Sequence, residues 1–102
     1  MRIIKESFLL AMARKHPNAA PYLEGWRKAV RGARWHNLVD VRQMYASADG
    51  VKVASGRVIV VFNAAGNNYR LIAAVHYNRQ IVFVLRFLTH AEYSKDQWKD
   101  EL

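Results

Sequence analysis

Cysteine is missing from all 102 residues, which excludes disulfides and thiolate zinc sites and fits a reducing compartment. Five glycines and two prolines leave no linker, low-complexity segment or internal repeat to interpret. Long hydrophobic runs are also lacking. The apolar stretch Phe8–Ala13 is short and closes on Arg14 and Lys15, and Ile81–Leu88 is of strand length and broken by Arg86. Neither can serve as a signal peptide or membrane span, so a soluble protein is expected. Several catalytic signatures fail on spacing as well. His16, His36, His76 and His90 show no metal-ligand pattern, and His90-Ala91-Glu92 imitates a deaminase H-x-E without its C-x-x-C. Gly66-Asn67-Asn68 lacks the G-K-[ST] ending of a phosphate loop, and no serine stands in a G-x-S-x-G elbow.

Acidic side chains are scarce: eight against sixteen Lys and Arg, for a formal charge of +8. The imbalance belongs to the body of the chain. Residues 1–36 carry eight basic and two acidic groups, whereas the segment from Thr89 onward carries two basic and four acidic. A small basic domain has the electrostatic footprint of a polyanion binder, and nucleic acid is the commonest polyanion in a cell. Charge alone leaves RNA, DNA, an anionic membrane, an acidic protein and a merely soluble basic protein all open. Hydrophobic residues at 52% argue for one folded domain over residues 1–102.

Local patterns outline that domain. Met1–Ile4 reads as a short extended segment, and Glu6–His16 as a helix with Phe8, Leu9, Met12 and Ala13 at helical spacing. Pro17 ends it. Asn18 is the expected N-cap of a second helix running to Ala33, whose stripe is Leu23, Trp26, Val30 and Ala33. Beside that stripe stand Arg27, Lys28, Arg31 and Arg34, which form a solvated face, a phosphate track or a dock for an acidic partner. Trp26 and Trp35 read as core anchors before base-stacking platforms. A short helix over Asn37–Tyr45 is expected to pack Val41 and Met44, followed by a loop over Ala46–Gly56. The period then changes: Val58–Phe62, Tyr69–Tyr77 and Ile81–Leu88 are β-branched or aromatic runs joined by turn-length connectors, an antiparallel meander. Ala91–Leu102 reads as a polar terminal segment able to form one helix docked by Trp98.

The meander carries the chemistry. Strand alternation puts Arg70 on a face with Ile72, Ala74 and His76, and Arg86 on a face with Val82, Val84 and Leu88. Should both arginines share one concave face, their guanidinium forks can bracket a phosphate; the alternative is two structural salt bridges. Carboxylates are rare nearby, which favours an external anion, for Arg70 in particular. His90 and Tyr93 follow at the exit of the last strand. Histidine is the one side chain that ordinarily exchanges a proton near neutrality, while a phenol needs neighbouring cations such as Arg70, Arg86 and Lys95. A phosphate clamp beside such groups suits RNA cleavage, because RNA carries its own nucleophile in the 2′-hydroxyl. The competing reading is a noncatalytic RNA- or ribosome-binding module.

These residues resemble a known family. R-V-I-V-V-F-N from Arg57, G-N-N-Y-R-L-I from Gly66, Q-I-V-F-V-L-R-F from Gln80 and T-H-A-E-Y-S-K from Thr89 are similar to the HigB toxins of bacterial toxin–antitoxin systems. These belong to the RelE-like ribosome-dependent mRNA interferases, and K-H-P-N-A at Lys15 and W-R-K-A-V at Trp26 support the match. The resemblance implies a compact α+β microbial-RNase-like fold, with two N-terminal helices on a small, mainly antiparallel sheet and a short C-terminal helix. It implies cleavage of mRNA in the ribosomal A site without metal or cofactor, in the cytoplasm of a bacterium. A HigA-like helix-turn-helix antitoxin is the implied inhibitor, with operator DNA bound only through the toxin–antitoxin complex. Arg70, His90 and Tyr93 would be catalytic. Arg86, Lys95, Asn67, Asn68 and Arg57 would contact RNA or phosphate, and the helix bearing Arg27, Lys28, Arg31 and Arg34 would face the ribosome or the antitoxin. Where the family often has a basic residue in the hairpin turn this chain has Ala64-Ala65, which argues against a catalytic role for the turn.

Overall fold

Three apolar runs separated by turns can bury their backbone polar groups only by pairing, and they do so in the computed structural model, which describes residues 1–102. Strands β3 (Val58–Ala64), β4 (Tyr69–His76) and β5 (Ile81–Thr89) form the expected antiparallel meander. The N-terminal strand β1 (Arg2–Ile4) adds to β5 in parallel, and β2 (Asp49–Lys52) adds antiparallel to β3. The resulting five-stranded sheet has the order β1-β5-β4-β3-β2.

One face of the sheet is covered by α1 (Glu6–Lys15), α2 (Ala20–Gly32) and α3 (Leu38–Met44). The stripe read from α2 is the one that packs: Leu23, Trp26, Val30 and Ala33 are all buried. Phe62 on β3 receives it. Its ring meets Trp26 and Tyr45 edge-on at 5.5 and 5.3 Å and stacks with Trp35 at 6.3 Å, so both tryptophans are core residues. The opposite face holds a smaller cluster of Val53, Ile59, Val61, Ile72, Ala74 and Trp98, contributed partly by the C-terminal helices α4 (His90–Ser94) and α5 (Gln97–Glu101).

Four local expectations are corrected. Asn18 does not cap α2. A single 3-10 turn over Pro17–Ala19 intervenes, Pro21 sits in the first helical turn where its fixed φ is pre-organised, and Ala19 takes the cap position. The Asn18 side chain instead accepts a 2.9 Å hydrogen bond from the Tyr69 hydroxyl. Within the expected Ala46–Gly56 loop lies β2: an edge strand needs one pairing neighbour, and the β3 ladder compensates for its small polar residues. Met44 is 47% exposed, its sulfur accepting from Trp35 Nε1 at 3.2 Å, while Val41 is buried as expected. The terminal segment forms two helices because Asp96 takes a left-handed conformation, φ +62°, a turn that sends Trp98 beneath the sheet.

Candidate active site

The β3–β4 turn and the β5–α4 junction meet at one end of the sheet, and backbone carbonyls fix their geometry. Ala65, Gly66 and Asn67 all have positive φ, 51°, 65° and 69°. This conformation turns the Asn67 and Asn68 carbonyls toward the functional side chains. Asn67 O accepts from Arg70 at 2.8 Å, and Asn68 O accepts from the His90 backbone N–H at 2.9 Å. The two asparagine side chains remain exposed.

His90 is held by a local device that the sequence spells out as Thr-His-Ala-Glu. Thr89 caps α4 by accepting from the Glu92 N–H at 3.2 Å, and the Glu92 carboxylate accepts from the Thr89 N–H at 3.0 Å. That backbone bond, with a smaller contribution from the Thr89 hydroxyl and the positive field of Lys15 and His16, holds the Glu92 carboxyl below the ordinary carboxylate range. A depressed pKa contributes stability that is present above the unfolded-state value and lost as pH falls through the folded-state value. The melting-temperature advantage of wild type over Glu92→Gln is therefore expected to shrink between about pH 6 and about pH 3. An advantage constant across that range would show that the ionised carboxylate contributes nothing. Thr89→Ala is expected to destabilise the protein by about 1 kcal/mol by removing the reciprocal bond.

Around this junction three side chains touch. Arg70 donates from NH1 to Asn67 O and Tyr69 O, while NH2 reaches His90 Nδ1 at 3.3 Å. Arginine has no acceptor, so Nδ1 must present its lone pair, and in the neutral ring the proton resides on Nε2. The guanidinium carbon lies 5.4 Å from the centre of the Tyr93 ring. Tyr93 also stacks with Trp98 at 5.3 Å and 18°, and Trp98 Nε1 donates to the Tyr93 carbonyl at 3.1 Å. Arg70 forms no ion pair, which leaves a partly exposed guanidinium open to an external anion.

Arg86 requires a correction. Simple alternation puts it with Val82 and Val84, on the face that the helices bury. A β-bulge at Leu85 intervenes: Ala73 pairs with Val84 but Ile72 pairs with Arg86. The extra residue turns Arg86 to the face of Ile72 and Arg70, because burying its charge in the apolar core would be costly. There it lies 3.9 Å from Glu101 on α5 and donates to Leu85 O, so its charge is partly answered from within the chain.

Other residues singled out from the sequence are dispersed. Lys95 is exposed at the end of α4 and lines a shallow groove with Glu92, Trp98 and Glu101. Arg57 lies six residues from Asn63, the partner of Arg70, so about 20 Å of strand separates it from the site. Arg27 and Lys28 pair with Glu24 at 2.8 and 3.6 Å, and Arg31 pairs with Glu6 at 2.8 Å. The helical basic face is thus largely self-neutralised, and Arg34 lies beyond the end of α2. Two further residues adjoin the site without a sequence signal that marks them as part of it: Trp98, which stacks on Tyr93 besides docking the terminal segment, and His16, at the end of α1, which packs against Tyr69 at 5.0 Å and Phe87 at 5.8 Å.

A mixed five-stranded α+β sheet with three helices on one face and two short C-terminal helices on the other is consistent with the RelE-like class of small toxins. The chain belongs to the HigB toxin family, the RelE-like toxic component of a toxin–antitoxin system, which matches residues 19–96. It is also 27% identical over 95 residues to the mRNA interferase HigB of Escherichia coli O6:H1 (strain CFT073), covering 93% of this chain and 90% of that protein.

Proposed function

We propose that this toxin is an mRNA interferase: a metal-independent endoribonuclease that cuts message on the ribosome and is neutralised by a HigA-like antitoxin. The observation that carries the reading is the Arg70 guanidinium, without an acidic partner and in hydrogen-bond contact with His90 Nδ1. A phosphate arriving at Arg70 draws the guanidinium onto its oxygens through charge-assisted bonds. Nδ1 is then released beside the reacting atoms.

The 2′-hydroxyl oxygen attacks the adjacent phosphorus and the bond to the 5′-oxygen breaks, leaving a 2′,3′-cyclic phosphate and a 5′-hydroxyl. One proton must leave the 2′-oxygen and one must reach the 5′-oxygen. His90 exchanges a proton with one of them, Arg70 stabilises the charge building on phosphorus, and Tyr93 orients or protonates from its place beside Arg70 and Trp98. Arg86 from β5 and Lys95 from the end of α4 add to the positive field.

With one histidine and no second strong acid/base group in contact, the site is too sparse to align a flexible RNA by itself. A ribosome that holds message bent in its A site supplies that alignment, which is worth several kcal/mol of barrier. Message undergoing translation is therefore expected to be cut efficiently and the same purified message hardly at all, read by mapping 5′ ends after incubation with and without ribosomes. Equal cutting of naked message would sink the ribosome requirement. Co-expression of a HigA-like helix-turn-helix antitoxin is expected to relieve the growth arrest that the toxin causes.

A further inference from the structure

The largest depression on the molecule, about 900 Å³, is at the other end of the sheet from Arg70 and His90. Arg2 of β1, Arg31 at the end of α2, Arg34 and His36 of the following segment, and Asn78 and Gln80 of the β4–β5 turn line it. Cations from three separate elements therefore converge on one concavity, a grouping invisible along any single helix face. Arg31 is tied to Glu6, but Arg2 and Arg34 form no ion pair. The negative end of the α2 dipole, which would repel an anion, is answered locally: the Met1 nitrogen donates to the carbonyls of Val30, Arg31 and Ala33 at 3.0, 3.1 and 2.7 Å. The wall is rigid as well. The Gln80 side-chain nitrogen donates to Trp35 O and Tyr77 O at 2.7 and 2.8 Å, and Arg2 N donates to Gln80 O at 2.9 Å.

We infer that this depression is a second RNA site, one that takes the phosphate backbone of a duplex RNA segment separate from the strand held at Arg70. The inference rests on the RNA reading above. Only three of the ten lining residues are hydrophobic, so the apolar anchors that seat a protein partner are few. Tyr77 is the one aromatic in the lining apart from His36, too little to stack a run of unpaired bases, whereas arginine forks match backbone phosphates whatever the sequence. Six residues of β4 separate Arg70 from His76, about 20 Å, so a phosphate here is not the scissile one. Binding at this remote site would set the orientation in which the toxin meets its message.

The test is the affinity of the full chain for a labelled RNA duplex, measured by anisotropy across a salt series. Arg2→Ala/Arg34→Ala is expected to weaken binding at least tenfold at low salt and to reduce the logarithmic salt slope by about two, near one per lost phosphate contact. A control removing two exposed cations elsewhere, Arg14→Ala/Lys52→Ala, is expected to change the slope by less than half as much. His90→Gln is expected to leave duplex binding unchanged, so loss of cleavage and loss of this site are read separately. Arg34→Ala alone, outside any helix or strand, keeps the test valid if the double variant folds poorly. Wild-type affinity and slope in the arginine variants would overturn the inference even if cleavage still requires His90. Displacement of the duplex by polyglutamate at equal charge concentration would also overturn it, assigning the depression to an acidic protein.

Discussion

His90→Gln is expected to lower cleavage of translated message by about 10²–10⁴-fold, the usual contribution of a positioned acid/base group. Glutamine is the informative substitute because it keeps a polar side chain of similar length that can still hydrogen-bond, while its amide cannot exchange a proton near neutrality. The cap bonds of Thr89 and Glu92 involve no His90 side-chain atom, so α4 should form unchanged. Ribosome binding should stay within a few-fold of wild type, and growth arrest on expression should disappear. A folded variant that still arrests growth would favour the noncatalytic ribosome-binding module and remove His90 from the chemistry.

Arg70→Ala is expected to reduce cleavage by about 10²–10³-fold, the scale for removing a donor that stabilises transition-state charge. Arg70→Lys should recover little of it. The guanidinium simultaneously reaches Asn67 O, Tyr69 O, His90 Nδ1 and the face of Tyr93, and an ammonium on a flexible stem cannot span that set. The loss should fall mainly on kcat, because Arg70 acts on charge that develops in the transition state, and single-turnover cleavage on saturating ribosomes measures it. A lysine variant as active as wild type would reduce the role of Arg70 to a general positive charge. Arg86→Ala should cost less than Arg70→Ala in the same assay, because Glu101 already shares its charge.

Much of the fold was legible because it is written in short-range patterns. The α2 stripe has helical period, the three meander strands have apolar runs bounded by turn residues, and both survive in the tertiary structure with ends moved by only a residue or two. The capping box that positions His90 is equally legible as Thr-x-x-Glu. What failed depends on partners remote in sequence. β2 is a strand because β3 lies beside it, and Asn18 turns from capping to the Tyr69 hydroxyl, 51 residues away.

For the site, the residue types and their order along the chain came from the sequence alone: an arginine inside each of two strands, then a histidine and a tyrosine past the second, amid few carboxylates. Their meeting is a tertiary result. Extending the register that begins at His76↔Ile81 without interruption would set Arg70 opposite Phe87 and Arg86 opposite Leu71, on the helix-covered face. The bulge at Leu85 shifts the pairing by one, so that Arg70 faces Leu88, Arg86 leaves the core face, and Tyr69 pairs with Thr89. His90 then lands against Asn68 and Arg70. No local pattern could announce that shift, because it is set by the long-range balance between ladder hydrogen bonds and the cost of burying a guanidinium in an apolar core.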